Sequence, residues 1–259
     1  MPRAVAVVSR LVCALCVLVL CGFAVFDAQA ERITAGRTPR EFARRLDPGL
    51  GHRYASAIGV AHNAGDDLGT ATEAAAYGAG AIEIDVRSDG SELFASHDAP
   101  LPGLEDVVFR GPSLQQAWDV AALRGTVLLH LKEHSPAYLR RVRSFVLAQP
   151  RQHLIIQTDD AASLLWLQKR MPWTERLLLV LGPSQLTELR TDAQLRAAID
   201  GVSVRNRLAS LPLLAWLDQQ GLTTFVWTVN DESRMNVLLA HGVDGLITDR
   251  LDIVRLLGS

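Results

Sequence analysis

From Ser56 to the C-terminus the chain repeats one pattern eight times: a short run of β-branched residues or leucine, then a longer stretch with helical periodicity. Short apolar runs suit strands buried on both faces, and the helical stretches supply the crossovers that a parallel sheet needs. Strands are expected near 57–61, 81–86, 126–131, 153–157, 177–181, 201–204, 223–229 and 244–248. Helices are expected near 70–78, 113–122, 136–148, 160–170, 184–198, 210–220, 231–241 and 250–257. Eight βα units in about 200 residues make a (βα)8 TIM barrel, an α/β fold. After the second strand, Ser88-Asp89-Gly90 is a turn signal, and the apolar run Leu93 to Ala95 follows it. That reads as a small hairpin inserted after strand 2.

The barrel domain is expected to occupy 56–259. Ahead of it, Arg3 and Arg10 precede an apolar run from Leu11 to Phe26, then Asp27-Ala28-Gln29-Ala30. This charged, apolar, small-residue order is that of a secretory signal peptide over 1–30, cut after Ala30, which sends the protein out of the cytoplasm. The run is shorter than the ~20 apolar residues that span a bilayer, which argues against an uncleaved anchor. Cys13, Cys16 and Cys21 all fall in the leader, so the mature chain has neither a disulfide nor a cysteine nucleophile. Residues 31–55, with Pro39 and Pro48, read as a lead-in segment.

Charge removes one class of function. Beyond the leader the chain carries 24 basic and 27 acidic side chains, so it has no basic field to hold nucleic acid by its phosphates.

In a barrel of this kind function sits at the C-terminal ends of the strands. Glu83 and Asp85 are one residue apart in Ile82-Glu83-Ile84-Asp85-Val86, so on a strand both carboxylates share a face. Two carboxylates in a barrel mouth need a counter-cation, which a divalent ion such as Mg²⁺ or Ca²⁺ supplies; arginine partners at a solvated strand end are the alternative. His62 and His97 each stand where an apolar run gives way to a loop. Two histidines flanking an acidic pair suit metal-assisted phosphodiester cleavage, with one base for the attacking oxygen and one acid for the leaving alkoxide. Lys132, if it faces the same cavity, steadies phosphoryl charge, or else it pairs with Glu83 or Asp85.

The stretches Ala61-His62-Asn63-Ala64-Gly65, Gly80-Ala81-Ile82-Glu83-Ile84-Asp85-Val86, Asp89-Gly90 and Ser96-His97-Asp98 resemble the glycerophosphodiester phosphodiesterase family in order and spacing. Trp227-Thr228-Val229-Asn230-Asp231 and Gly242 through Asp249 are similar to the same family's ending. The resemblance implies a (βα)8 barrel, one divalent cation, and two histidines acting as acid and base on a glycerophosphodiester. The expected substrate is therefore a small-molecule or lipid-derived phosphodiester.

The chain departs from that family at three places. Asn63 stands where the family has a phosphate-gripping arginine, and Asp67-Leu68-Gly69-Thr70 replaces its Pro-Glu-Asn-Thr stretch. His130 stands where the family has an acidic metal ligand, two residues before Lys132. Glu133 points to the opposite strand face from His130 and cannot replace it without a bulge. A site of Glu83, Asp85 and His130 would favour Mn²⁺ or Zn²⁺ over Ca²⁺; otherwise His130 only contacts ion-bound water.

Asn63, Lys132 and Trp227 are the expected substrate contacts, with Arg205 as a stand-in for the missing phosphate arginine. Asn230 and Asp249 read as helix N-caps, and His52, His134, His153 and His241 receive no role. Two rivals remain: a sphingomyelinase D-like phospholipase, for which an apolar loop at 98–112 would give peripheral membrane contact, and a catalytically silent barrel that binds a phosphorylated ligand.

Overall fold

The computed structural model describes residues 57–99, 111–150, 152–254 and 257. The leader, the lead-in segment and most of the apolar loop at 98–112 lie outside the described residues. The strands are β1 (Ile58–Ala61), β2 (Ala81–Asp89), β3 (Glu92–Ala95), β4 (Thr126–Leu131), β5 (His153–Thr158), β6 (Glu175–Val180), β7 (Gly201–Arg205), β8 (Thr223–Trp227) and β9 (Gly245–Thr248). Eight of them are parallel in the order β1-β9-β8-β7-β6-β5-β4-β2, and β1 pairs back onto β2 to close the barrel. The helices are α1 (Leu68–Tyr77), α2 (Leu114–Ala121), α3 (Pro136–Ala148), α4 (Ala161–Arg170), α5 (Pro183–Thr191), α6 (Ala193–Ala198), α7 (Leu211–Gln219), α8 (Glu232–Ala240) and α9 (Leu251–Val254).

β3 runs antiparallel to β2 with Asp89 opposite Glu92, which is the inserted hairpin. Gly90 takes the turn at φ 56°, a conformation that costs glycine little. Glu133 fastens the hairpin from the outer face, accepting the Ser88 N–H at 2.6 Å and its hydroxyl at 2.8 Å. The helix expected over 184–198 is two helices, because Asp192 leaves the helical conformation and its carboxylate caps the N–H groups of Gln194 and Leu195. The seventh expected strand, 223–229, ends at Trp227.

Val60, Ala81, Leu128, Ile155, Leu177, Phe225 and Ile247, from seven of the eight barrel strands, pack against one another as the layer that plugs the barrel. Phe225 fills space that Gly245 leaves, since a Cβ at Gly245 would lie 1.4 Å from the Phe225 ring. The outward faces of the strands bury a second set of aliphatic residues against the helices. Among the described residues no helix is long and apolar enough to cross a membrane.

Candidate active site

Because side chains alternate along a strand, the plug fixes what points into the mouth two residues further on. Val60 is followed by His62, Ala81 by Glu83 and Asp85, Leu128 by His130 and Lys132, Ile155 by Gln157 and Asp159, Leu177 by Leu179 and Leu181, and Phe225 by Trp227. All of these except Asp85 line one cavity of about 280 Å³, together with Asn63, His97, Leu131 and His134. The mouth therefore gathers His62, Asn63, Glu83, His97, His130, Lys132 and Trp227, with Asp85 buried immediately beneath.

Asp85 is the electrostatic centre. His130 Nδ1 lies 2.8 Å from its Oδ1 and Lys132 Nζ 3.0 Å from its Oδ2. Burial alone would raise the Asp85 pKa, but these two cations outweigh it and hold the carboxyl down to about 2. His130 Nδ1 also lies 3.6 Å from Glu83 Oε1. Burial opposes a charge on this imidazole, yet the two carboxylates prevail and raise its pKa above the ordinary 6.5. Lys132 thus faces the cavity and pairs with Asp85 at once.

Glu83, Asp85 and His130 each offer one ligand atom, and the three atoms lie within 4.8 Å of one another. Two carboxylate oxygens and an imidazole nitrogen suit a divalent ion of the Mn²⁺ or Zn²⁺ kind. Gln157 supports the fit: its Nε2 donates to Glu83 Oε1 at 2.5 Å, while its buried Oε1 has no hydrogen-bond partner among the described residues.

The two remaining histidines are held by loop carboxylates. The β1–β9 register sets Ala61 beside Thr248, and the His62 N–H donates to the Thr248 carbonyl, which brings Asp249 against the His62 ring. His62 Nδ1 lies 2.7 Å from Asp249 Oδ1. Burial pulls the His62 pKa down, but Asp249, Glu83 and Asp85 together raise it. Burial likewise favours a neutral Asp249, and the bond to His62 overrides it, leaving the Asp249 pKa lowered. His97 follows the hairpin, where the Ser96 N–H donates to the Asp85 carbonyl at 2.8 Å, and its Nδ1 lies 2.9 Å from Asp98 Oδ1.

Four sequence readings need correction. Asp249 is not an N-cap, because its carboxylate binds His62 and the Asn230 amide at 2.6 Å. Asn230 is not a cap either, since Asp231 caps α8 through the Arg234 N–H and Asn230 instead steadies Asp249. His134, given no role, lines the cavity with Nε2 3.1 Å from Asp159 Oδ1. Arg205 lies over the Trp227 ring at 5.8 Å and is not among the cavity's lining residues. Trp227 itself lines the cavity, with its indole N–H donating to the Ser203 carbonyl at 3.0 Å. Asn63 sits at φ 49°, a left-handed position that asparagine tolerates, and its N–H faces Glu83 Oε2 at 3.4 Å.

One further residue escaped the sequence reading. Asp66, in the short turn after Asn63, accepts the Asp85 N–H at 2.9 Å, and its other oxygen is buried without a hydrogen-bond partner among the described residues. Burial and the neighbouring Asp85 charge push its pKa to about 8. No spacing rule marks it, because its relation to Asp85 exists only once the turn packs beneath β2.

The fold and site define a (βα)8 barrel whose mouth sets a candidate cation site beside two carboxylate-held imidazoles. The chain belongs to the glycerophosphoryl diester phosphodiesterase family, whose members are phosphoric diester hydrolases; the family model matches residues 88–253. That range contains His97, His130, Lys132 and Trp227, while His62, Glu83 and Asp85 precede it. A phosphodiesterase from Oleispira antarctica, solved in complex with the product sn-glycerol-3-phosphate, is 16% identical over 83% of this chain and 97% of its own, with a TM-score of 0.63. A glycerophosphodiester phosphodiesterase from Parabacteroides distasonis is 22% identical over 75% of this chain and 93% of its own, at TM-score 0.59. One from Agrobacterium tumefaciens is 17% identical over 76% and 97%, at 0.55. At these identities the likeness is one of fold. No curated protein matches the chain.

Proposed function

We propose that this protein hydrolyses glycerophosphodiesters outside the cytoplasm, using a divalent cation held by Glu83, Asp85 and His130 and proton transfer by His62 and His97. The observation that carries the proposal is the meeting of Glu83, His130, Lys132 and both histidines in one cavity at the barrel mouth, with Asp85 buried against His130 and Lys132.

Glu83, Asp85 and His130 would hold the cation, which would supply positive charge against the charge building on the phosphoryl oxygens. Lys132 adds a fixed positive charge beside Asp85 and takes over part of the work of the absent arginine at position 63. An ionised Asp249 can only accept, so His62 Nδ1 carries the proton and Nε2 is its free nitrogen. His97 is held by Asp98 in the same manner. One imidazole takes the proton of the attacking water or neighbouring hydroxyl as its oxygen bonds to phosphorus. The other gives a proton to the alcohol oxygen whose bond to phosphorus breaks. Trp227, Leu179 and Leu181 provide an apolar wall for the carbon skeleton, with Asp159 and His134 at its rim. The Oleispira complex makes sn-glycerol-3-phosphate the natural product to look for.

His130 in place of a third carboxylate favours Mn²⁺ or Zn²⁺ over Mg²⁺ or Ca²⁺. The leader sequence, with Arg3, Arg10 and Ala30, supports export. The experiment is ³¹P NMR of glycerophosphoethanolamine and glycerophosphocholine incubated with Mn²⁺-loaded protein. The diester signal should give way to that of glycerol 3-phosphate. An unchanged diester signal for both, with folded and metal-loaded protein, would overturn the reading.

A further inference from the structure

Asp85 on β2, His130 on β4 and Gln157 on β5 stand in one register row, each directly beside the next. Two members of the row are candidate ligands. The third is an amide that is 1% exposed, on a strand whose neighbouring residues Leu154, Ile155 and Ile156 are buried aliphatics. An amide in such surroundings is costly unless both of its ends are bonded. The Gln157 amino end is bonded: it donates to Glu83 Oε1, and this fixes the orientation of the amide, because a carboxylate can only accept. The carbonyl end has no hydrogen-bond partner among the described residues, although the residue lines the cavity.

We infer that Gln157 is a fourth donor of the divalent-cation site, its Oε1 supplying a neutral oxygen while its Nε2 holds Glu83 in place. This rests on the cation-dependent reading of the site above. An amide oxygen is an accepted ligand for ions that also take carboxylates, and it completes a set of two carboxylates, one imidazole and one amide. The same contact explains why a polar side chain is kept at this depth of β5. The residues facing it from adjoining strands are Glu83, His130 and Leu177, and neither Glu83 nor His130 can supply a proton to Oε1 while engaged with a cation.

The test needs no substrate. Full-length protein is stripped with chelator, and Mn²⁺ affinity is measured by calorimetry and by the free-ion EPR signal for the wild type, Gln157→Leu, Gln157→Glu and His130→Ala. Gln157→Leu should weaken Mn²⁺ binding at least about tenfold, the loss typical of a disturbed metal shell. Gln157→Glu, which places a charged oxygen at the same point, should bind at least as tightly as the wild type. If Gln157→Leu proves unfolded by circular dichroism, Gln157→Glu decides: binding weaker than wild type overturns the inference. Wild-type affinity in a folded Gln157→Leu also overturns it and leaves the phosphodiesterase reading intact. A wild type that binds no divalent ion overturns both.

Discussion

His62 Nδ1 and Asp249 Oδ1 meet at 2.7 Å across 187 positions of sequence, brought together by the pairing of the first and last barrel strands, β1 and β9. The contact fixes the tautomer of His62 and raises its pKa, and the fold thereby ties the first strand's histidine to the last strand's carboxylate. Asn230, through both its amide groups, keeps that carboxylate in position.

His62→Ala should lower kcat by roughly 10²–10⁴, the usual contribution of a positioned acid or base. Asp249→Asn should lower it less, because the imidazole remains. In Asp249→Asn one of the three carboxylates that raise the His62 pKa is gone, with its hydrogen bond, while burial still lowers it, so the limb of the pH–rate profile that reports His62 should move to lower pH. A profile with both limbs unmoved would contradict the assigned partner.

Cation binding should weaken as pH falls. In the metal-free protein Asp85 and Glu83 make His130 hold a proton more firmly than a free imidazole does, and a cation competes with that proton. His130→Glu removes that competition and hardens the donor set, so preference should shift from Mn²⁺ or Zn²⁺ toward Mg²⁺ or Ca²⁺. Competitive titration of the four ions against the wild type and His130→Glu measures this directly.

The metal-free protein should be more stable at mildly acid than at mildly alkaline pH. Folded Asp66 keeps its proton up to about 8, whereas the unfolded chain releases it near 3.8, so rising pH within that window favours unfolding. His130 acts in the same direction: its raised pKa gives stability that is full below 6.5 and lost as pH climbs through the folded value. Asp66→Asn mimics the protonated carboxyl and should flatten the fall in Tm between pH ~5 and ~8. Thermal melts in chelator at several pH values, with an equal slope for variant and wild type, would contradict the placement of Asp66.

Gly245→Ala should destabilise the barrel by roughly 1–3 kcal/mol or more, since its Cβ would fall 1.4 Å from the Phe225 ring. Combining it with Phe225→Leu should recover part of the loss, because the two changes share one space. Urea unfolding of the two single variants and the double variant reads the coupling.

The fold was legible because the barrel strands are short apolar runs separated from one another by helical stretches, and the hairpin because Gly90 marks its turn. Glu83, Asp85, His130 and Lys132 were legible for the same reason: alternation along β2 and β4 states which residues face inward. Asp249 was misread because an aspartate before a helix resembles a cap, and only barrel closure shows its true partner. Gln157 and His134 were passed over since their meaning lies in Glu83 on β2 and in Asp159 just beyond β5, neighbours that spacing along the chain does not reveal. Asp192 split one helix in two because its cap competes locally with helix continuation.

The most direct test of a cation-dependent, two-histidine site is turnover of glycerophosphocholine by chelator-stripped full-length protein, before and after Mn²⁺ is restored, beside His62→Ala, His97→Ala and Glu83→Ala. The account expects activity that chelation abolishes and Mn²⁺ restores, with each variant reduced by about 10² or more. Hydrolysis that survives chelation, or that persists at the wild-type rate in either histidine variant, would contradict it.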